Sequence, residues 1–209
     1  MIKVNNVSMV LNKYRILDNV SLDIKKGEAV GLVGGNGSGK TMLMKCICGL
    51  NTRYNGEIVV NNKIIGKDEE FAPDTGFIIE VPGFIPGMSG YQNLSKLAGI
   101  RKKIDGKEIK KWLEMVGLDP DDKRSVKKYS MGMRQRLGLA QALMENPEIL
   151  ILDEPFNGLD KDMVIKMRDI LVEQKRNGKT ILLTSHNQQD IDYVCDRMYE
   201  IDGGRIITS

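Results

Sequence analysis

The sequence predicts an α/β fold: a mostly parallel sheet wrapped by helices, with an N-terminal antiparallel β part and a helical insert. Three observations predict it. Along the last third of the chain, short apolar segments alternate with helical ones, the order that builds parallel sheets. A glycine-rich run, Gly34 to Thr41, separates a strand-like segment from a helix-like one. Between Pro86 and Asn146 the apolar spacing turns helical and strand patterns cease.

Taken in order, Ile2 to Leu11 and then Val20 to Ile24 alternate as half-buried strands do, and the second ends at Gly27. Ala29 to Val33 is a short apolar strand running into the glycines, and a helix follows from about Lys40 to Cys48. Glu57 to Val60 and Lys63 to Ile65 read as a hairpin around the Asn61-Asn62 turn. Thr75 to Ile79 is another short strand. The helical stretch that follows has Gly and Pro breaks at Gly99, Gly106 and Gly117 to Pro120. Strands at Ile149 to Leu152, Thr180 to Thr184 and Met198 to Ile201 then alternate with helices at Lys161 to Arg176 and Gln188 to Val194. A single domain over residues 1–209 is expected. Its α/β core and β part fall at about 1–85 and 147–209, and its helical subdomain at about 86–146.

Composition narrows the function classes. Apolar residues at 41% and charged residues at 28% are the proportions of a chain with a packed core, not of a disordered one. A net charge of +3 leaves no general nucleic-acid footprint. Basic residues cluster between Arg101 and Lys128, but the acids among them make a solvated helical face the better reading. No apolar run approaches the ~20 residues of a membrane helix, and the start, Met1 to Asn6, lacks the apolar stretch of a secretory signal. Cys46, Cys48 and Cys195, with one histidine in the chain, form neither a disulfide framework nor a metal set. A cytosolic protein is expected.

The chemistry begins at Gly34-Gly35-Asn36-Gly37-Ser38-Gly39-Lys40-Thr41, which fits G-x-x-x-x-G-K-[ST] between a strand and a helix. Glycines let the backbone approach phosphate, and the amides and positive helix end hold its oxygens. Lys40 is placed to reach the β- and γ-phosphates, and the Thr41 hydroxyl to bind Mg²⁺. This makes the core a P-loop NTPase. The run Ile149 to Leu152 then has the unbroken apolarity of a strand buried on both faces. Asp153 falls at its carboxyl end, where parallel sheets place ligands, and suits Mg²⁺ through water. Glu154 follows as candidate general base or water positioner. Read alone, Leu152-Asp153-Glu154-Pro155 is equally a strand end capping the next helix; the phosphate loop decides for function.

His186 lies beyond the strand Thr180 to Ser185, on the same edge as Asp153, where a ring nitrogen can donate to a γ-phosphate. Ser130 has N-cap chemistry ahead of the apolar stripe Met133, Leu137, Ala140 and Met144. The physics leaves two readings open there: a capped amphipathic helix, or a helix start that holds a phosphate from another copy.

Together these residues resemble the nucleotide-binding subunits of ABC transporters over essentially the whole chain. Gly34 to Thr41 resembles the Walker A loop, and Ile149 to Glu154 resembles Walker B with catalytic Glu154. Tyr129-Ser130-Met131-Gly132-Met133 occupies the signature position, Asn157-Gly158-Leu159-Asp160 the D-loop, and Ser185-His186 the switch histidine. The resemblance implies ATP and Mg²⁺ as ligands. Gly34 to Thr41, Met42 and an adenine-stacking Tyr14 would bind the nucleotide; Thr41, Asp153 and Glu80 would serve the metal; Glu154 and His186 would be catalytic. It implies a head-to-tail homodimer in which Ser130, Gly132 and Asp160 contact the partner subunit's ATP. It also implies separate membrane permeases docked near residues 80 to 95, which would place the chain peripherally on the cytoplasmic face of the membrane. Within the family, the likeness is to bacterial exporters of the bacitracin-resistance and lantibiotic-immunity type.

Two departures stand out. The usual signature L-S-G-G-Q keeps only Ser130 and Gly132, with Tyr129, Met131 and Met133 around them. Glu80 stands where the family usually presents glutamine. Other classes fit less well. DNA-repair and chromosome types need a long coiled coil in the interval of about fifty residues from Glu80 to Ser130, which has no heptads, and ribosome-associated types usually carry two such domains. A GTPase wants N-K-x-D, and Asn62-Lys63-Ile64-Ile65 lacks the aspartate.

Overall fold

The computed structural model describes residues 1–208. An antiparallel sheet comes first, built from β1 (Ile2–Leu11), β2 (Tyr14–Ile24), β4 (Asn55–Val60) and β5 (Lys63–Ile64) in the order β2-β1-β4-β5. The β4–β5 hairpin turns at Asn61 and Asn62, both at positive φ (50° and 61°), as asparagines tolerate. β2 starts at Tyr14, not at Val20 as the alternation suggests. The pairing of β1 with β2 shifts register between Val4 and Val10, and Asn6 and Asn19 sit there at positive φ. Such bulges break the two-residue period that a sequence reading needs.

The second sheet runs β10-β9-β3-β8-β7-β6, with β3 (Ala29–Val33), β6 (Thr75–Ile78), β7 (Ile149–Leu152), β8 (Thr180–Leu183), β9 (Arg197–Asp202) and β10 (Arg205–Thr208). All its pairs are parallel except β9–β10. β10 went unread in the sequence; Gly203 and Gly204, at φ 50° and 78°, make the tight turn that folds it back. Each inner strand feeds two cores. Ile149, Ile151 and Leu182 face the antiparallel sheet and helix α1 (Lys40–Cys48). Leu150, Leu152, Ile181 and Leu183 face the helices on the other side. That division explains why these strands read as continuous apolar runs.

Between β6 and β7 lie α2 (Gly90–Arg101), α3 (Gly106–Met115) and α4 (Met131–Leu143); α5 (Lys161–Arg176) and α6 (Gln188–Val194) follow. Ser89 and Gln92 form a reciprocal capping box that starts α2. Gly99 is inside α2 and does not break it; the helix instead ends at Lys102, in the left-handed region. Asp105 caps α3 through the Lys107 and Glu108 amides. Cys46 and Cys48 are buried in α1, where burial pushes the Cys46 thiol up to about 12 and leaves it inert.

Candidate active site

The register puts Ile78, Leu152 and Leu183 side by side at the carboxyl ends of β6, β7 and β8. Three loops therefore open on one edge, joined by the loop between β3 and α1. That loop needs its glycines: Gly34 has φ 149° and Gly39 has φ 109°. A Cβ on Gly34 would lie 2.1 Å from the Ile201 carbonyl, and one on Gly39 2.9 Å from the Ile16 carbonyl. The loop is thus wedged between β9 and β2, and the first amides of α1 are left without helical partners, as at every helix start. Lys40 curls back over it, donating from Nζ to the carbonyls of Gly34 (2.7 Å) and Gly35 (2.9 Å).

Asp153 is buried, and each of its oxygens accepts from a threonine. Thr41 Oγ1 donates to Oδ2 at 2.7 Å, and Thr184 Oγ1 to Oδ1 at 2.8 Å. Thr184 Oγ1 also accepts from the Glu154 amide at 2.8 Å. One hydroxyl, just past the end of β8, thereby orients both acids that follow β7. Glu154 adopts φ 50°, which turns the chain off the strand, and its carbonyl accepts from Gln135 Nε2 of α4 at 3.1 Å.

The Glu154 carboxylate accepts at Oε2 from the His186 amide at 3.2 Å. Its Oε1 is buried, 3.2 Å from His186 Nε2, yet without an aligned donor. Burial raises the Glu154 carboxyl above the ordinary glutamate range, and His186 opposes that only in part. A carboxylate beside an open cleft, with one oxygen that no donor claims, is equipped to take a proton from a water that reaches it.

The cleft has a volume of about 330 Å³ and is lined by Ile16, the loop from Asn36 to Met42, Lys45, Glu80, Asp153, Glu154 and His186. Most of the residues the sequence singles out are thus brought together. Gly34 and Gly35 are not among the lining residues; their carbonyls accept from Lys40 Nζ. Tyr14 is not brought there: it is 74% exposed at the tip of β2 and pairs with Leu11. Ile16, two residues or about 7 Å along the strand, lines the cleft.

Ser130, Gly132 and Asp160 lie outside this cleft, in a second group. Ser130 Oγ caps α4 by accepting from the Met133 amide, and Asp160 Oδ1 caps α5 by accepting from the Met163 amide. A Cβ on Gly132 would lie 2.6 Å from the Gly158 carbonyl, so the start of α4 touches the loop that leads into α5.

Sequence reasoning missed Thr184, Gln135, Lys45 and Ile16. Thr184 was in reach, being the strand-end hydroxyl beside Asp153 once β7 and β8 are adjacent. Lys45 follows Thr41 by one helical turn. Gln135 and Ile16 carry no local signal.

The ABC transporter family's sequence model matches residues 17–157. The chain is 40% identical over 209 residues to the ABC transporter ATP-binding protein YybJ of Bacillus subtilis, covering 100% of this chain and 96% of that protein. It is 36% identical over 207 residues to the lantibiotic transport ATP-binding protein SrtF of Streptococcus pyogenes, covering 99% and 89%. Among solved structures, the dimeric bacterial ABC transporter cassette MJ0796 superposes with TM-score 0.88 at 26% identity, over 99% of this chain and 97% of that one. With the phosphate loop, the paired acids and the histidine gathered on one sheet edge, the chain belongs to the ABC transporter family as an ATP-binding, ATP-hydrolysing subunit.

Proposed function

We propose that two copies of this chain close head to tail around ATP and drive a separate membrane permease that exports a peptide antibiotic or similar amphiphile. One observation carries the reading: the chain's own cleft holds Lys40, Thr41, Asp153, Glu154 and His186, whereas Ser130 and Gly132 stand apart at the start of α4. A second copy supplies those two groups, and Asp160, to the exposed side of the nucleotide. The dimeric cassette and the lantibiotic transport relative support this assembly and cargo class.

The residues divide the work. The loop from Gly34 to Thr41 holds the phosphates, and Lys40 leaves the Gly34 and Gly35 carbonyls to reach the terminal ones. Among the described residues no cluster of three or more His, Cys, Asp or Glu could hold a metal unaided; Thr41 and Asp153, joined at 2.7 Å, fit one that the phosphates also hold. Mg²⁺ there would neutralise charge on the phosphates. Glu154 Oε1 takes the proton of the attacking water, and His186 donates to the γ-phosphate. Met42, on the first turn of α1, lines the cleft beside the phosphate loop.

Among the described residues no helix is long and apolar enough to cross a membrane, and the exposed Val81 and Ile85 suit a permease helix. Residues 86–146 then act as a helical unit against the core of 1–85 and 147–209, on the cytoplasmic face.

Lys40→Ala is expected to abolish tight ATP binding. Glu154→Gln is expected to bind ATP, stall hydrolysis and form an ATP-dependent dimer by light scattering, with a cysteine cross-link between positions 38 and 130. A monomer at saturating Mg-ATP that also fails to cross-link would sink the shared site.

A further inference from the structure

Glu80 is a carboxylate in a cleft built for a polyanion, and the structure shows what makes it tolerable. Lys45 Nζ lies 2.6 Å from Glu80 Oε1, and both side chains line the cleft with Lys40, Thr41, Asp153 and Glu154. The two members of the pair are not equally anchored. Lys45 lies one turn beyond Thr41 on α1, and its carbonyl accepts the Leu50 and Asn51 amides that close that helix. Its side chain is 25% exposed, against 61% for Glu80. Glu80 sits just past the end of β6 at φ 58°, on the segment that leads to α2. Two residues on, the Pro82 ring packs on α4, where a Cβ on Gly138 would lie 2.6 Å from Pro82 Cγ. The start of α4 is capped by Ser130.

We propose that Lys45 is the positioning residue for Glu80. It holds and neutralises the carboxylate against α1 before nucleotide arrives, and yields it to the hydration shell of Mg²⁺ when ATP arrives with the metal. Without the lysine, Glu80 opposes the incoming phosphates at short range. With the metal present, that opposition disappears because Glu80 gains a doubly charged partner. Glu80 then moves with its segment, and Pro82 carries the displacement to α4 and Ser130. This deepens the reading of the cleft as an ATP site and rests on it.

The test measures affinity for a fluorescent ATP analogue in EDTA and in saturating Mg²⁺. Absence of binding by the unaltered chain in both conditions would overturn the ATP-site reading itself. Lys45→Gln is expected to lose roughly tenfold or more in EDTA but about threefold or less with Mg²⁺. Lys45→Arg, and Lys45→Gln combined with Glu80→Gln, are expected to recover the EDTA affinity, as a double-mutant cycle requires of a coupled pair. Equal loss in both conditions would mean that Lys45 serves the phosphates directly and would overturn the proposal. So would failure of Glu80→Gln to rescue, or no loss at all.

Discussion

At the scale of single residues, Thr184 shows how one hydroxyl organises a site. It donates to Asp153, accepts from the Glu154 amide, and is fully buried. Thr184→Val keeps the shape and removes both bonds. Leaving a buried carboxylate oxygen and an amide unpartnered costs about 1–3 kcal/mol of stability for each group, which a denaturant melt will read. Hydrolysis is expected to fall by about 10–100-fold, the usual effect of removing a partner behind a metal-binding carboxylate. Unchanged turnover would show that Thr41 alone suffices to orient Asp153. The acids and the phosphate loop were legible because their chemistry is local: fixed spacing, a strand before, a helix after. Thr184 was not, since its role depends on which strand lies beside β7. Tyr14 sits at the strand tip, beyond the lining of the cleft, where the hairpin turn at Asn12 and Lys13 holds it.

At the scale of elements, α5 and α6 are joined by a buried ion pair that also steadies the histidine turn. Arg168 Nε donates to Asp190 Oδ1 at 2.8 Å, and the Ser185 hydroxyl donates to Asp190 Oδ2. Ser185 Oγ in turn accepts the Asn187 amide at 3.1 Å, so the loop carrying His186 is tied to α6 on both sides. Arg168→Met strands a buried carboxylate and is expected to cost about 3–5 kcal/mol, whereas Arg168→Met with Asp190→Leu costs much less. Thermal melts of both variants check the difference; equal destabilisation would show that the pair is not the source. Helix limits in this part of the chain were readable from caps and periodicity, and Lys161–Arg176 and Gln188–Val194 fall where the spacing places them. Gly99 was over-read as a break: glycine lowers helix stability by about 1 kcal/mol, less than the capping and packing of α2 return.

At the scale of the whole molecule, the layout follows from alternation. Two cores on opposite faces of one parallel sheet explain why strands with no polar side read as unbroken apolar runs. The pairing of the antiparallel strands was less legible, since bulges at asparagines obscure the period. The contact between Pro82 and Gly138 joins the segment after β6 to α4, and no sequence pattern announces it. Gly138→Val places a branched side chain where the ring sits. The overpacking is expected to cost about 1–3 kcal/mol and to leave ATP affinity near that of the unaltered chain. In a Glu154→Gln background it is expected to weaken ATP-driven dimerisation about tenfold, or ~1.4 kcal/mol. Sedimentation at graded ATP measures it; undiminished dimerisation would show that α4 does not take its position from Pro82.

The burial of β7 has a consequence for the order in which this molecule comes apart. Every residue of Ile149–Leu152 is fully enclosed, with a strand on each side and a core on each face. Amides there exchange with solvent only when the entire fold opens. The run from Glu80 through Ile85 has no strand pairing and is held by less: the Pro82 ring on α4, Phe84 against the helical core and the bonds between Ile85 and Asn93. Asp153 and Glu154 therefore hang from the last part of the chain to melt, while the segment proposed to relay their state is more lightly held. On the proposed relay, a moderately heated or partly denatured population is expected to keep its nucleotide grip longer than its means of passing the signal on.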